Sequence, residues 1–169
     1  MKPIEPRPTT DLRQYTERLE LAPVTPADLG ELHSLYTDPD VRRHLWDDLV
    51  VDQLETDNVI RASLRTFRAR QYGLWRLQHR AQQALVGCAG LRETGLEAEL
   101  VVAIDPRFQR QGYAREASLA VLAHALRRLR LQRVVAMCDA TNEPAPAPVR
   151  SLGMPEQPVP RASGPERMT

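Results

Sequence analysis

The chain has 169 residues, 42% of them hydrophobic, and a formal net charge of +1. That length suits one domain with one substantial core. The near-neutral balance gives no electrostatic case for nucleic acid or an acidic membrane surface, and no apolar run approaches the ~20 residues that span a bilayer.

The N-terminus carries no apolar signal core, so a cytoplasmic location is expected. Cys88 and Cys138 lie in apolar, strand-like runs without metal-ligand spacing and read as small core residues. His33, His44, His79 and His124 are scattered, and no metal site is expected.

In chain order, residues 1–17 carry Pro3, Pro6 and Pro8 among polar groups and read as a flexible lead-in. Arg18-Leu19-Glu20-Leu21 alternates as a first strand. Thr25-Pro26-Ala27-Asp28 starts a helix, with threonine as cap, proline at the first helical position and an acid in the first turn. Leu29, Leu32 and Tyr36 share one face of it. Asp38-Pro39-Asp40 repeats the signal for a second helix, with Val41 and Leu45 inward.

A third helix is predicted over 52–70, where Ile60, Leu64 and Phe67 are spaced by four and three. Its arginines, Arg61, Arg65, Arg68 and Arg70, spread around the helix as a solvated face; attraction of an acidic substrate is the alternative reading. Tyr72–Leu77 and Ala84–Leu91 form a hairpin across the polar turn at Ala81-Gln82-Gln83. Gly87 and Gly90 have the wrong spacing for a dinucleotide fingerprint and read as sites of close packing or a bulge.

Glu99–Ile104 is β-branched and apolar enough for a core strand that Asp105-Pro106 stops, joined to its predecessor through a turn near Thr94-Gly95. A helix follows from Glu116, with Leu119, Leu122, Leu126 and Leu129 on its inward face and Ala117, Val121 and Ala125 widening it. Gln132–Cys138 is the next strand, and a strand–helix–strand passage favours a right-handed crossover to a parallel neighbour. Arg127, Arg128, Arg130 and Arg133 gather where the helix ends and complement its C-terminus.

Between strand and helix lies Gln109-Arg110-Gln111-Gly112-Tyr113-Ala114. The first backbone N–H groups of a helix have no carbonyl partner, and the helix dipole adds partial positive charge there. A glycine at 112 and a small residue at 114 let a phosphate approach closely, so the loop reads as an anion cradle suited to a pyrophosphate.

Gln109-x-x-Gly112-x-Ala114 matches the Gln/Arg-x-x-Gly-x-Gly/Ala signature of the GCN5-related N-acetyltransferases. Ala98-Glu99-Leu100, Asp105-Pro106 and Gly112–Ala117 resemble the branch that acetylates ribosomal-protein N-termini. The resemblance covers 18–142 and implies an α/β (α+β) fold with a mixed, mainly antiparallel sheet and flanking helices. It implies acetyl-CoA as cosubstrate, a primary amine as acceptor (a protein N-terminus or a small amine), and direct attack in a ternary complex. The pyrophosphate would sit on the amides of Gln109, Arg110, Gln111, Gly112, Tyr113 and Ala114. The pantetheine arm would lie along Val101, Val102 and Ala103, and Asn142 matches the family's asparagine. The arginines at the helix end could then meet the 3′-phosphate of CoA.

Glu99, inside an apolar strand on the face opposite Leu100, Val102 and Ile104, is the first choice of base, and it matches an acidic position in the relatives; Glu93 is the second. The family pattern departs after 142: Ala145 stands where relatives have serine, and half of the fourteen prolines lie beyond Asn142. Leu152-Gly153-Met154 returns to the pattern, but no strand alternation or tyrosine follows.

Val149, Leu152, Met154, Val159 and Met168 would contribute at most roughly 7–15 kcal/mol if all were buried. Ordering the backbone of 143–169 costs about 1–2 kcal/mol per residue, so this segment is expected to be poorly ordered and the last strands of the fold missing. The sheet edge this exposes invites self-association. The alternative to a working transferase is a catalytically impaired acyl-CoA-binding or structural remnant of the same fold.

Overall fold

A computed structural model describes residues 11–46, 48–95, 97–137 and 150–155. Six strands form one sheet in sequence order: β1 Gln14–Tyr15, β2 Leu19–Pro23, β3 Leu74–His79, β4 Leu85–Thr94, β5 Glu97–Ile104 and β6 Val134–Val135. The first five run antiparallel, and β6 lies parallel to β5 after a helical crossover. The expected mixed, mainly antiparallel architecture is therefore present. Among the described residues no strand follows Val135.

The first two caps fall where the sequence puts them, and the third, Asp52, stands where the sequence has the first helical residue. Thr25 starts a short turn over Pro26–Asp28 that leads into α1, Leu29–Thr37; its backbone N–H donates to Asp28 Oδ2 at 2.7 Å. Asp38 caps α2, Pro39–Leu45, and Asp52 caps α3, Gln53–Arg70, each by accepting from backbone N–H groups of the first turn. These contacts use donors that have no partner within the helix.

Strand β5 separates two cores. Leu100 and Ile104 join Tyr113, Ala117 and Val121 of the helix α4, Tyr113–Ala123, and Ala125 in the helical turn that continues it, on one face. Ala103 and Val101 face Tyr36, Val41 and Ile60 of α1–α3 on the other. A β-carbon at Gly90 would run into the Gly73 carbonyl, so only glycine lets β4 approach there, and the β3–β4 register shifts between Leu77 and Gln78.

Three expectations need correction. The inward face of α4 is made by its small residues: Ala117, Val121 and Ala125 are fully buried, whereas Leu119 and Leu126 are 41% and 48% exposed. Alanines let the helix lie close to the sheet; Leu122 and Leu129 still pack against the core, while Leu119 and Leu126 are turned out. The helix also begins at Tyr113, one residue after Gly112, and not at Glu116. Finally, β6 is only two residues long, so the run expected to continue to Cys138 pairs with β5 over a single short stretch. Cys138 lies outside the described residues, as does most of 143–169. Within that segment Leu152 packs against the α4-side core. No helix among the described residues is long and apolar enough to cross a membrane.

Candidate active site

The cradle is built by the turn from β5 into α4. Asp105 stops the strand, its Oδ1 accepting from the Arg107 N–H at 2.9 Å, and Pro106–Phe108 forms a single tight turn. Gln109 returns its Nε2 to the Ile104 carbonyl at 3.0 Å, and Gln111 Nε2 donates to the Arg107 carbonyl at 3.1 Å. Both side chains therefore brace the loop, leaving its backbone to meet a ligand. Arg110 and Gly112 adopt left-handed φ values of 59° and 84°. Such alternation turns successive N–H groups toward one concavity, a geometry that binds anions.

Gly112 precedes α4 and offers no side-chain cap to its first turn. The acid in that turn, Glu116, does not fill the place of an anion. Its Oε1 accepts from Thr16 Oγ1 at 2.6 Å and from the Arg18 backbone N–H at 2.9 Å, while Oε2 accepts from Arg18 Nε at 2.7 Å. Arg18 also donates to the Gln111 carbonyl at 2.9 Å and lies 4.0 Å above the centre of the Tyr113 ring. The exposed amides of a capless helix start, a left-handed glycine and a first-turn acid drawn away fit a pyrophosphate.

The second element is the splay between β5 and β6. Their pairing ends at Ala98 with Val134 and Glu99 with Val135, so from Leu100 onward that edge of β5 has no strand partner among the described residues. Val101, Val102 and Ala103 lie on this open stretch and border a solvent-open cavity of about 470 Å³ between α1, α2, α3, β4 and β5. The α3 face toward it carries the small residues Ala62, Thr66 and Ala69, while Tyr36, Leu45, Trp46 and Val59 supply apolar wall.

Glu99 lies on this face of β5, opposite Leu100, Val102 and Ile104, and is 3% exposed. Directly across the strand pair, Arg92 grips it as a fork, with Nε to Oε2 at 2.7 Å and Nη2 to Oε1 at 3.1 Å. Arg92 lines the cavity, as does Glu93, which pairs with Arg70 at 2.7 Å. Asn142 lies outside the described residues. Arg133, one of the arginines expected at the helix end, pairs with Glu97 at 3.1 Å.

Burial pushes the Cys88 thiol up to about 11, against hydrogen bonds from Tyr36 and the Ala103 backbone. Burial and then Cys88 raise the Tyr36 phenol well above the ordinary range. Both groups are therefore protonated donors at neutral pH, with Tyr36 Oη 3.7 Å from Cys88 Sγ. His124 and His79 serve the fold: His124 Nε2 bonds the Gln71 carbonyl at 2.7 Å, and His79 Nδ1 accepts from the backbone of Ala81 and Gln82. No cluster of metal-binding side chains occurs among the described residues.

Sequence reasoning missed Arg18, Arg92 and Tyr36. Arg92 was within reach of it, because a two-residue turn at Gly95 places 92 opposite 99 in an antiparallel pair. Arg18 was not, since its partner is 98 positions away.

Residues 18–155 match the family model of the acetyltransferase (GNAT) domain. The uncharacterized N-acetyltransferase YnaD of Bacillus subtilis is 34% identical over 50 residues; the match spans 30% of this chain and 29% of that curated relative. An acetyltransferase from Agrobacterium tumefaciens superposes with a TM-score of 0.78 at 23% identity, covering 89% of this chain and 88% of that one. The ribosomal L7/L12 alpha-N-protein acetyltransferase RimL, in complex with coenzyme A, gives a TM-score of 0.63 at 22% identity over 76% and 75% of the two chains.

Proposed function

The chain belongs to the acetyltransferase (GNAT) domain family, and from that membership we propose that it moves an acetyl group from acetyl-CoA to a primary amine, a protein N-terminus or a small amine, with both substrates bound together. The observation that carries this reading is one of arrangement: the capless helix start at Gly112 and the open edge at Val101–Ala103 belong to one strand–turn–helix unit, and that edge borders the cavity.

Acetyl-CoA supplies an activated acyl carbon: the amine nitrogen bonds to it, the C–S bond breaks with its electron pair going to sulfur, and the proton lost by nitrogen ends on the thiol. The protein's part is chiefly positioning. Backbone N–H groups of Gln109–Ala114 hold the pyrophosphate. The free edge at Val101, Val102 and Ala103 takes the pantetheine arm as a neighbouring strand would be taken, and an amide there polarises the acyl carbonyl. Asn142 completes the donor site.

Glu99, behind the cavity-lining Arg92, acts as base once that half-exposed side chain releases one of its two oxygens. Calorimetry with acetyl-CoA, followed by thiol release over a panel of amines, tests the reading. Binding with release supports it, binding without release points to an impaired CoA-binding remnant, and the absence of both overturns it.

A further inference from the structure

We infer that the acceptor is a small amine bearing both a carboxylate and an apolar group, of the amino-acid kind, held in the cavity with its anion on Arg65. This rests on the acetyl-transfer reading above and specifies its second substrate.

Whatever fills the cavity lies beside Val101–Ala103, where the acyl group is placed. The walls are apolar and partly aromatic, and the volume of about 470 Å³ is that of a small-molecule site. Its charges are unequal. Arg65, Arg70 and Arg92 line it against Glu93 alone. Arg70 is taken by Glu93 and Arg92 by Glu99 behind it, which leaves Arg65 with no ion-pair or hydrogen-bond partner among the described residues.

The other arginines of α3 do not share this position: Arg61 pairs with Asp57 at 2.6 Å, and Arg68 is not part of the lining. Trp46, also in the wall, has a buried indole Nε1 with no hydrogen-bond partner among the described residues. Guanidinium and indole N–H groups only donate: the buried Trp46 Nε1 lacks an acceptor, the exposed Arg65 can exchange water for one, and a carboxylate suits both.

A polyamine is poorly matched. Its second ammonium would meet surplus positive charge and no unpaired carboxylate among the described lining residues. The same surplus assists an amino acid twice. It attracts the carboxylate, and it disfavours the ammonium form of the amine, which must be neutral to form the N–C bond as the C–S bond breaks.

The test uses the full chain, acetyl-CoA and thiol release with leucine, leucinamide, spermidine and a short peptide. Leucinamide has the less basic amine, so ordinary reactivity favours it; a preference for leucine therefore reports recognition of the carboxylate. The expected kcat/KM for leucine exceeds that for leucinamide by about tenfold, the scale of one charge-assisted hydrogen bond.

Arg65→Ala, a favourable helix substitution at an exposed position, should bring that ratio close to one mainly through KM for leucine. Arg68→Ala should leave the ratio as it is. Preference for spermidine, leucinamide or the peptide, or an unchanged ratio in Arg65→Ala, overturns the inference while acetyl transfer itself stands. No binding of acetyl-CoA and no thiol release with any amine removes both.

Discussion

Arg18 reaches from the start of β2 to the first turn of α4, where one guanidinium meets the Glu116 carboxylate and the Gln111 carbonyl. Burial alone would push Glu116 up. Hydrogen bonds from Thr16 and Arg18, with the arginine's charge, outweigh burial and hold the carboxyl below the usual glutamate range. A depressed acid adds stability that is fully present above that usual range and is lost as pH falls through it toward the folded value. Urea unfolding of Glu116→Gln should therefore show a loss of about 1–2 kcal/mol near neutral pH that shrinks on acidification. A loss that stays constant with pH would remove the ion pair from the account.

At Gly112, φ is 84° and an added β-carbon would sit 3.4 Å from Arg18 Nη2, so valine is resisted by the backbone more than by space. Gly112→Val should weaken CoA binding by about 2 kcal/mol, roughly thirtyfold, in a variant that still folds. Calorimetry giving wild-type affinity would place the cosubstrate elsewhere. Glu99→Gln should slow turnover by about a hundredfold and erase the acidic limb of the pH–rate profile while CoA affinity holds. An unaltered profile would leave Glu99 as the group that orients Arg92, with the amine losing its proton to water.

Helix α4 continues into a π-helical turn over His124–Arg128, closed by the Leu129 N–H to the His124 carbonyl at 3.0 Å. The turn sets His124 against Trp75, ring centres 5.2 Å apart, with its Nε2 on the Gln71 carbonyl. Burial lowers the affinity of His124 for a proton, the Gln71 hydrogen bond opposes this, and Arg128 adds to the lowering. The fold thus prefers neutral histidine, so stability should drop as pH falls through the ordinary histidine range, and His124→Gln should remove that part of the drop in a series of melting curves.

The caps at Thr25 and Asp38 and the glycine at 112 were legible because each is fixed by a residue's own backbone preferences and its nearest neighbours. The buried stripe of α4 was legible in part: Ala117, Val121 and Ala125 were placed on it, but so were Leu119 and Leu126, which are exposed. Apolar periodicity supports two adjacent stripes, leucine and alanine, and the helix-to-sheet distance chooses between them. The cavity escaped for the same reason: Ala62, Thr66 and Ala69 make room only against β4 and β5, which the sequence does not place across from them.

For the molecule as a whole, β5 is the strand that both cores share. The α4 face carries the proposed pyrophosphate cradle at its end, the α1–α3 face carries the cavity, and the open edge between Leu100 and Ile104 joins them. If that edge receives the pantetheine arm, amide exchange at Val102, whose N–H faces away from β4, should slow on adding CoA while exchange in β2 and β3, already paired on both sides, stays the same. Uniform slowing across the sheet would indicate general stabilisation instead. The central claim is that these parts serve transfer of an acetyl group to nitrogen. Incubation with acetyl-CoA carrying an isotopically labelled acetyl group, a panel of amines, and mass spectrometry of the products tests it most directly. The account predicts labelled amide on an amine; label recovered only in acetate or in unreacted acetyl-CoA would contradict it.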